Sequence, residues 1–165
     1  MNKINEISKA IYFDMDGTLA NLYGVKDWLP SLRAYDPSPY TKAQPMINFN
    51  LLARYLNQLQ RMGYTIGIIS WLSKESIPVY DEAVRLRKRR YLEQHLTSVD
   101  FNEIHLVKYG MPKHYVAKIK NGILFDDNKE VREAWNGAAF DEKNILDVLK
   151  FLIVRESLNW VAFFN

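Results

Sequence analysis

Four short apolar runs recur along the chain, at residues 10–13, 65–69, 103–107 and 123–125. They are rich in β-branched and aromatic residues, and the first, second and fourth are followed directly by an acidic or small polar residue. Continuous runs of this length and composition are typical of strands that are buried on both faces of a sheet. The pattern therefore predicts four strands.

Helical patterns separate these strands. Apolar residues recur at helical spacing in 50–63 and 80–96, and shorter patterns cover 129–135 and 142–154. In the second helix the pattern places Val84, Tyr91, Leu92 and His95 inward, and it assigns the basic run 85–90 to a solvated face. Strands that alternate with helices predict an α/β fold with a parallel sheet covered by helices on both faces.

A segment rich in proline and aromatic residues follows the first predicted strand. Residues 21–45 hold four of the six prolines together with several tyrosines and a tryptophan. The segment interrupts the strand–helix alternation, and its composition is not that of a linker between domains. We interpret it as a small cap or flap within a single domain that spans residues 1–165.

Composition and charge narrow the chemistry. The 165 residues include no cysteine, which excludes thiol nucleophiles, iron–sulfur clusters and thiolate zinc sites. The net charge of +3 is well short of that of a dedicated nucleic-acid binder, so no nucleic-acid partner is expected. Without a signal-like or membrane-spanning apolar run, we expect a cytoplasmic protein with no membrane partner. The apolar segment 159–164 is expected to dock on the protein's own sheet, and a homodimer contact is the alternative.

Carboxylates and a hydroxyl group follow three of the predicted strands. Asp14 and Asp16 follow the first strand, Ser70 the second, and Asp126 and Asp127 the last. Because the carboxyl ends of parallel strands meet at one edge of a sheet, these side chains are expected to lie together. Four carboxylates without a nearby His or Cys offer hard oxygen ligands, which suit Mg²⁺ better than zinc.

The segments IYFDMDGTLA, IGIIS and ILFDDN, with a lysine between the second and third, resemble the four motifs of the haloacid dehalogenase (HAD) superfamily. They occur in the family's order and span residues 11–128. The resemblance implies a three-layer α/β/α Rossmann-like fold and a phosphatase that uses Mg²⁺ and an aspartyl-phosphate intermediate. An acid two residues after the first aspartate is similar to the pattern in the phosphatases and phosphomutases of the superfamily. No second phosphate site supports a mutase, so the resemblance favours a phosphatase.

The resemblance also implies a role for each aspartate. Asp14 would be the nucleophile, and Asp16 would protonate the leaving group and then activate water. Mg²⁺ would be held by Asp14, the backbone carbonyl of Asp16 and Asp126. Asp127 would support the ion through a bound water.

A narrower resemblance is to the 5'(3')-deoxyribonucleotidases. Residues 89–96, 101–106 and 124–127 look like segments of that family, as does the opening DMDGTLANLY. The alignment implies that Lys113 binds the phosphoryl oxygens together with Ser70, with Lys108 and Lys118 as alternatives. It also implies a 5'-nucleotidase-like enzyme that acts on nucleoside monophosphates.

That family stacks the base on aromatic residues of a cap that is larger than residues 21–45. The candidates for stacking here are Tyr23, Trp28, Tyr35, Tyr40 and Trp71. Trp71 stands where the family has a hydroxyl residue. Three alternatives stay open: a phosphatase for another phosphorylated metabolite, a phosphatase for a nucleic-acid end, and a non-catalytic binding protein of the same fold.

Overall fold

The computed structural model describes residues 7–164. The strands are β1 (Ala10–Phe13), β2 (Ala20–Asn21), β3 (Gln44–Pro45), β4 (Thr65–Trp71), β5 (Glu103–Val107), β6 (Ile123–Phe125) and β7 (Ala138–Phe140). The helices are α1 (Trp28–Arg33), α2 (Ser38–Lys42), α3 (Phe49–Arg61), α4 (Pro78–His95), α5 (Lys113–Val116), α6 (Lys129–Ala134) and α7 (Ile145–Phe164). The predicted domain spans residues 1–165, of which residues 1–6 and 165 lie outside the described part.

Five strands form one parallel sheet in the order β5–β4–β1–β6–β7. Alternate residues of β1 point to opposite faces: Ile11 and Phe13 join the core under α3, α4 and α7, whereas Tyr12 packs with Trp135 on the other face. The second face is covered by α5 and α6. The predicted Rossmann-like α/β sheet with helices on both faces is confirmed.

The carboxyl end of β1 lies between those of β4 and β6. Phe13 is paired with Ile68 of β4 and with Phe125 of β6. β4 continues through Ser70 and Trp71, two residues beyond the predicted end. The three strand ends that carry the predicted site therefore neighbour one another.

Residues 21–45 form two short helices beside this edge. β2 and β3 pair antiparallel, which brings the two ends of the segment together. α2 packs on α4, and the buried Tyr40 hydroxyl lies 2.6 Å from Ser73 Oγ. The Tyr80 hydroxyl donates to the Asp36 carbonyl at 3.2 Å, which adds a second tie between the segment and α4. Its action as a cap remains a prediction.

The last helix is longer than predicted. α7 follows a 3₁₀ turn at Glu142–Asn144, and at 20 residues it extends about 30 Å. Its buried residues Ile145, Leu149 and Leu152 lie in the first half, whereas residues 157–163 are exposed. Trp160 and Phe163 are exposed, and the predicted docking of the tail on the sheet is wrong for these side chains.

In the described part of the chain, no helix combines the length and the apolar character needed to cross a bilayer.

Candidate active site

Asp14 and Asp126 are held side by side by the central strands. The Asp14 N–H donates to the Phe125 carbonyl at 2.9 Å, so the ladder between β1 and β6 extends to the first carboxylate. Asp14, Asp126 and Asp127 offer carboxylate oxygens that lie within 4.8 Å of one another. This cluster is a candidate metal centre.

The turn after β1 brings Asp127 into the cluster. Gly17 has a φ of +77°, and a Cβ there would lie 2.5 Å from Asp127 Oδ2, so only glycine suits this position. The buried Thr18 hydroxyl accepts from the Asp127 N–H at 3.1 Å. The DGT sequence that follows Met15 therefore shapes the turn and also fixes the second aspartate after β6.

The chain after β6 is also fixed by hydrogen bonds. The Asn128 N–H donates to Asp126 Oδ1 at 2.9 Å, and the Asn128 side chain caps α6. The Arg132 guanidinium donates to the backbone carbonyls of Asp126 and Asp127 at 2.7 and 2.8 Å. The backbone that carries both carboxylates is thus held by several hydrogen bonds.

Lys113 joins two of these carboxylates. It is the first residue of α5 and is only 3% exposed. Its Nζ donates to Asp14 Oδ1 at 2.8 Å and to Asp126 Oδ2 at 2.6 Å. The alternatives Lys108 and Lys118 are exposed, so Lys113 is the one of the three that the structure brings into the cluster.

Lys88 of α4 is a second lysine in the site, and sequence reasoning missed it. It is 1% exposed, and its Nζ donates to Asp16 Oδ2 at 2.6 Å and to Ser70 Oγ at 2.8 Å. The prediction of residues 85–90 as a solvated face is wrong at this position. A signal was present, because Lys88 lies four residues after Val84 and four before Leu92, on the buried stripe.

The rest of the basic run is partly or fully exposed, as predicted, and Arg85 pairs with Glu82. His95, which the pattern also placed inward, is exposed, because the buried stripe moves to Leu96 at the end of α4.

Burial and neighbouring charges shift the pKa values of the aspartates and of Lys113 in this site. Burial, followed by the charge of Asp14, raises the pKa of both Asp126 and Asp127 to about 6. Burial is also the main cause of the raised pKa of Asp16, against the opposing charge of Lys88. Burial alone would lower the pKa of Lys113, but the charges of Asp14 and Asp126 outweigh it and raise that pKa.

When the four aspartates are ionised, the two lysines neutralise only half of their negative charge, and an excess of two negative charges remains. A divalent cation would balance this excess.

A cavity of about 500 Å³ opens above the carboxylates. All five predicted stacking residues line it: Tyr23, Trp28, Tyr35, Tyr40 and Trp71. Tyr40 is buried and makes structural contacts, whereas the Tyr23 side chain is 51% exposed. Tyr109, which was not predicted, also lines the cavity; it is 52% exposed, with its ring centroid 5.0 Å from that of Trp71.

No protein-family model matches the sequence, and no curated protein matches it. Among solved structures, the chain is similar to a D,D-heptose 1,7-bisphosphate phosphatase from B. bronchiseptica that is complexed with magnesium and phosphate. The identity is 12% and the TM-score is 0.53, over 90% of this chain and 99% of that one. The enzyme of the same name from Burkholderia thailandensis gives 15% identity and a TM-score of 0.48, over 77% of this chain and 71% of that one.

The first of these likenesses supports the expected α/β fold with a central parallel sheet, and the resemblance to the HAD superfamily is a prediction. At such low identity it concerns the fold alone, and the resemblance to the deoxyribonucleotidases remains a prediction.

Proposed function

We propose that the protein is a Mg²⁺-dependent phosphomonoester hydrolase that works through a phosphorylated Asp14. The observation that carries the proposal is the buried Asp14–Lys113–Asp126 arrangement at the strand ends, with Asp16 and Ser70 beside it. A buried nucleophile held next to a cation and a candidate metal centre suits attack on an anionic phosphoryl group. The fold it shares with a phosphatase bound to magnesium and phosphate supports the same class of reaction.

The donor set fits Mg²⁺. Asp14, the Asp16 backbone carbonyl and Asp126 would hold the ion, and Asp127 would support it through a bound water. All of these donors are oxygens, and the carboxylates have the spacing and the excess negative charge that a small divalent cation needs. The bound ion supplies charge neutralisation, so that an anionic carboxylate can approach an anionic phosphate.

The reaction has two halves. An Asp14 carboxylate oxygen attacks phosphorus, the bond to the leaving oxygen breaks, and Asp16 gives its proton to that oxygen. Asp16 then removes a proton from a water whose oxygen attacks the same phosphorus, and the bond to Asp14 breaks to release phosphate. Lys113 and Ser70 bind the phosphoryl oxygens throughout.

A nucleoside monophosphate is the substrate we propose, in the manner of a 5'-nucleotidase. The cavity is of the size that small ligands occupy, and the half-exposed rings of Tyr23 and Tyr109 offer flat surfaces to a base. A phosphorylated sugar is the second candidate. The exposed Arg33 and Lys74 at the cavity favour it, because they would attract a second anionic group.

Replacing Tyr109 separates the two candidates. Stacking on an aromatic side chain contributes about 1–3 kcal/mol per base, so we expect Tyr109→Ala to raise KM for nucleoside monophosphates about tenfold. The KM for glycerol phosphate should stay the same, and Tyr115→Ala, which removes an exposed ring away from the cavity, should change neither. The measurement is steady-state phosphate release across nucleotides, sugar monophosphates and sugar bisphosphates, with Mg²⁺ and with EDTA. A strong preference of the wild type for sugar phosphates would reject the nucleotidase.

Mg²⁺ binding should weaken as the pH falls through 6. With a pKa of about 6, Asp126 and Asp127 are mostly ionised at pH 7.5 and largely protonated at pH 5.5, and the cation binds the ionised form. We expect the dissociation constant to rise about tenfold over this interval, with protons released on binding at the lower pH. Titration calorimetry in buffers of different ionisation enthalpy measures both quantities. Equal affinity at the two pH values, without proton release, would contradict the assignment of these two carboxylates to the metal centre.

A further inference from the structure

Lys88 uses all of its hydrogen-bonding capacity inside the protein. In addition to Asp16 and Ser70, its Nζ donates to the Trp71 carbonyl at 2.8 Å. An ammonium group has three N–H donors, so each one has a partner here. A buried cation is costly unless it is paired, and this one is fully paired with groups of the site.

The two lysines serve different parts of the site. Lys113 reaches Asp14 and Asp126 from α5, which packs on one face of the sheet. Lys88 comes from α4 on the opposite face, where Ser70 points because it alternates with Trp71 along β4. Lys113 already holds the nucleophile, and the proposed reaction assigns Lys88 no role.

The bond from Lys88 to Ser70 directs the serine proton away from Lys88. An ammonium group has no lone pair and can only donate, so Ser70 Oγ must accept from Lys88 Nζ. The serine hydrogen is then left to point to another acceptor. A phosphoryl oxygen bound next to Asp14 would be such an acceptor, so the contact with Lys88 leaves Ser70 free to donate to the substrate.

The bond to Asp16 restrains the proposed acid and base. Asp16 Oδ2 is held at 2.6 Å, which leaves Oδ1 to exchange a proton with the leaving oxygen or with water. Lys88 Nζ also lies 5.1 Å from the centroid of the Tyr40 ring, so the segment 21–45 covers this ion pair.

We propose that Lys88 is a positioning residue that sets the orientation of both Asp16 and Ser70. The proposal rests on the proposed phosphatase activity and adds to it a residue that acts through Asp16. The effect of Lys88 on the reaction rate should therefore depend on how much the leaving group needs a proton.

The test is Lys88→Met, assayed on an alkyl phosphate and on p-nitrophenyl phosphate, whose leaving group departs without protonation. We expect kcat/KM, which reports the steps up to release of the leaving group, to fall about a hundredfold for the alkyl phosphate, the scale of general acid catalysis, and several-fold at most for the aryl phosphate. In an Asp16→Asn background, Lys88→Met should lower kcat/KM for the alkyl phosphate by no more than the several-fold loss seen with the aryl phosphate. Arg90→Met is the matched control on the exposed face of α4 and should leave both rates unchanged.

Equal losses on the two substrates, or a further full loss in the Asp16→Asn background, would overturn the proposal and leave Lys88 a structural residue. Thermal unfolding of each variant reports whether it folds. If Lys88→Met does not fold, Lys88→Arg keeps the buried charge but cannot reproduce the three contacts, and the same difference between substrates is expected. A wild type that hydrolyses neither phosphate overturns the proposed function and this role together, whereas an active wild type with uniform losses overturns this role alone.

Discussion

Asp14→Asn is expected to lower kcat for every phosphomonoester by at least about a thousandfold, because the amide cannot form the covalent intermediate. The loss should not come from unfolding. Lys113 keeps its bond to Asp126 in the variant, and removal of the Asp14 charge relieves repulsion within the cluster. Phosphate release and thermal unfolding of the same preparations measure the two effects.

The matched control is Asp147→Asn, which removes an exposed carboxylate in the first turn of α7. It should retain wild-type activity. If Asp14→Asn kept more than about a tenth of the wild-type rate, catalysis by a different residue or a contaminating phosphatase would explain the activity better, and the assignment of the nucleophile would be wrong.

Lys113→Met is expected to destabilise the metal-free protein by about 3–5 kcal/mol, the range seen when one partner of a buried ion pair is removed. The substitution leaves Asp14 and Asp126 buried without their common counter-charge. Mg²⁺ should restore part of the lost free energy of unfolding, because the ion can neutralise the same two carboxylates. The variant should also lose binding of inorganic phosphate.

Urea unfolding with EDTA and with Mg²⁺ measures both parts of this prediction. Lys108→Met removes an exposed lysine from the preceding loop and should change the free energy of unfolding by less than about 0.5 kcal/mol. Equal stability of the two variants would mean that the buried pair contributes little. Loss of phosphate binding in Lys108→Met instead would reassign the phosphate-binding lysine.

The parts of the site that follow directly from strand ends were predictable. Asp14, Ser70 and Asp126 stand at or next to the ends of short buried strands, and parallel pairing must bring such ends together. Lys113 was predictable only through a family resemblance, since spacing alone did not separate it from Lys108 and Lys118.

Other features depend on tertiary packing that the sequence shows weakly. Lys88 belongs to a run of basic residues in which the buried position is marked only by its four-residue spacing from Val84 and Leu92. Tyr40 is aromatic and was therefore a candidate for stacking on a base, but the packing of α2 on α4 buries it. The strand β7 was not predicted, because a run of three small or aromatic residues is too short to show the alternation of apolar and polar positions that marks a strand.

The most direct test of the account is to find the phosphoryl group on the protein. Asp16→Asn should form the intermediate from p-nitrophenyl phosphate and hydrolyse it slowly, because the base for the second half-reaction is missing. After an acid quench, peptide mass spectrometry should locate one phosphoryl group on Asp14, present with Mg²⁺ and absent with EDTA. Turnover by the wild type with no phosphoryl group on Asp14 in either protein would contradict the covalent mechanism.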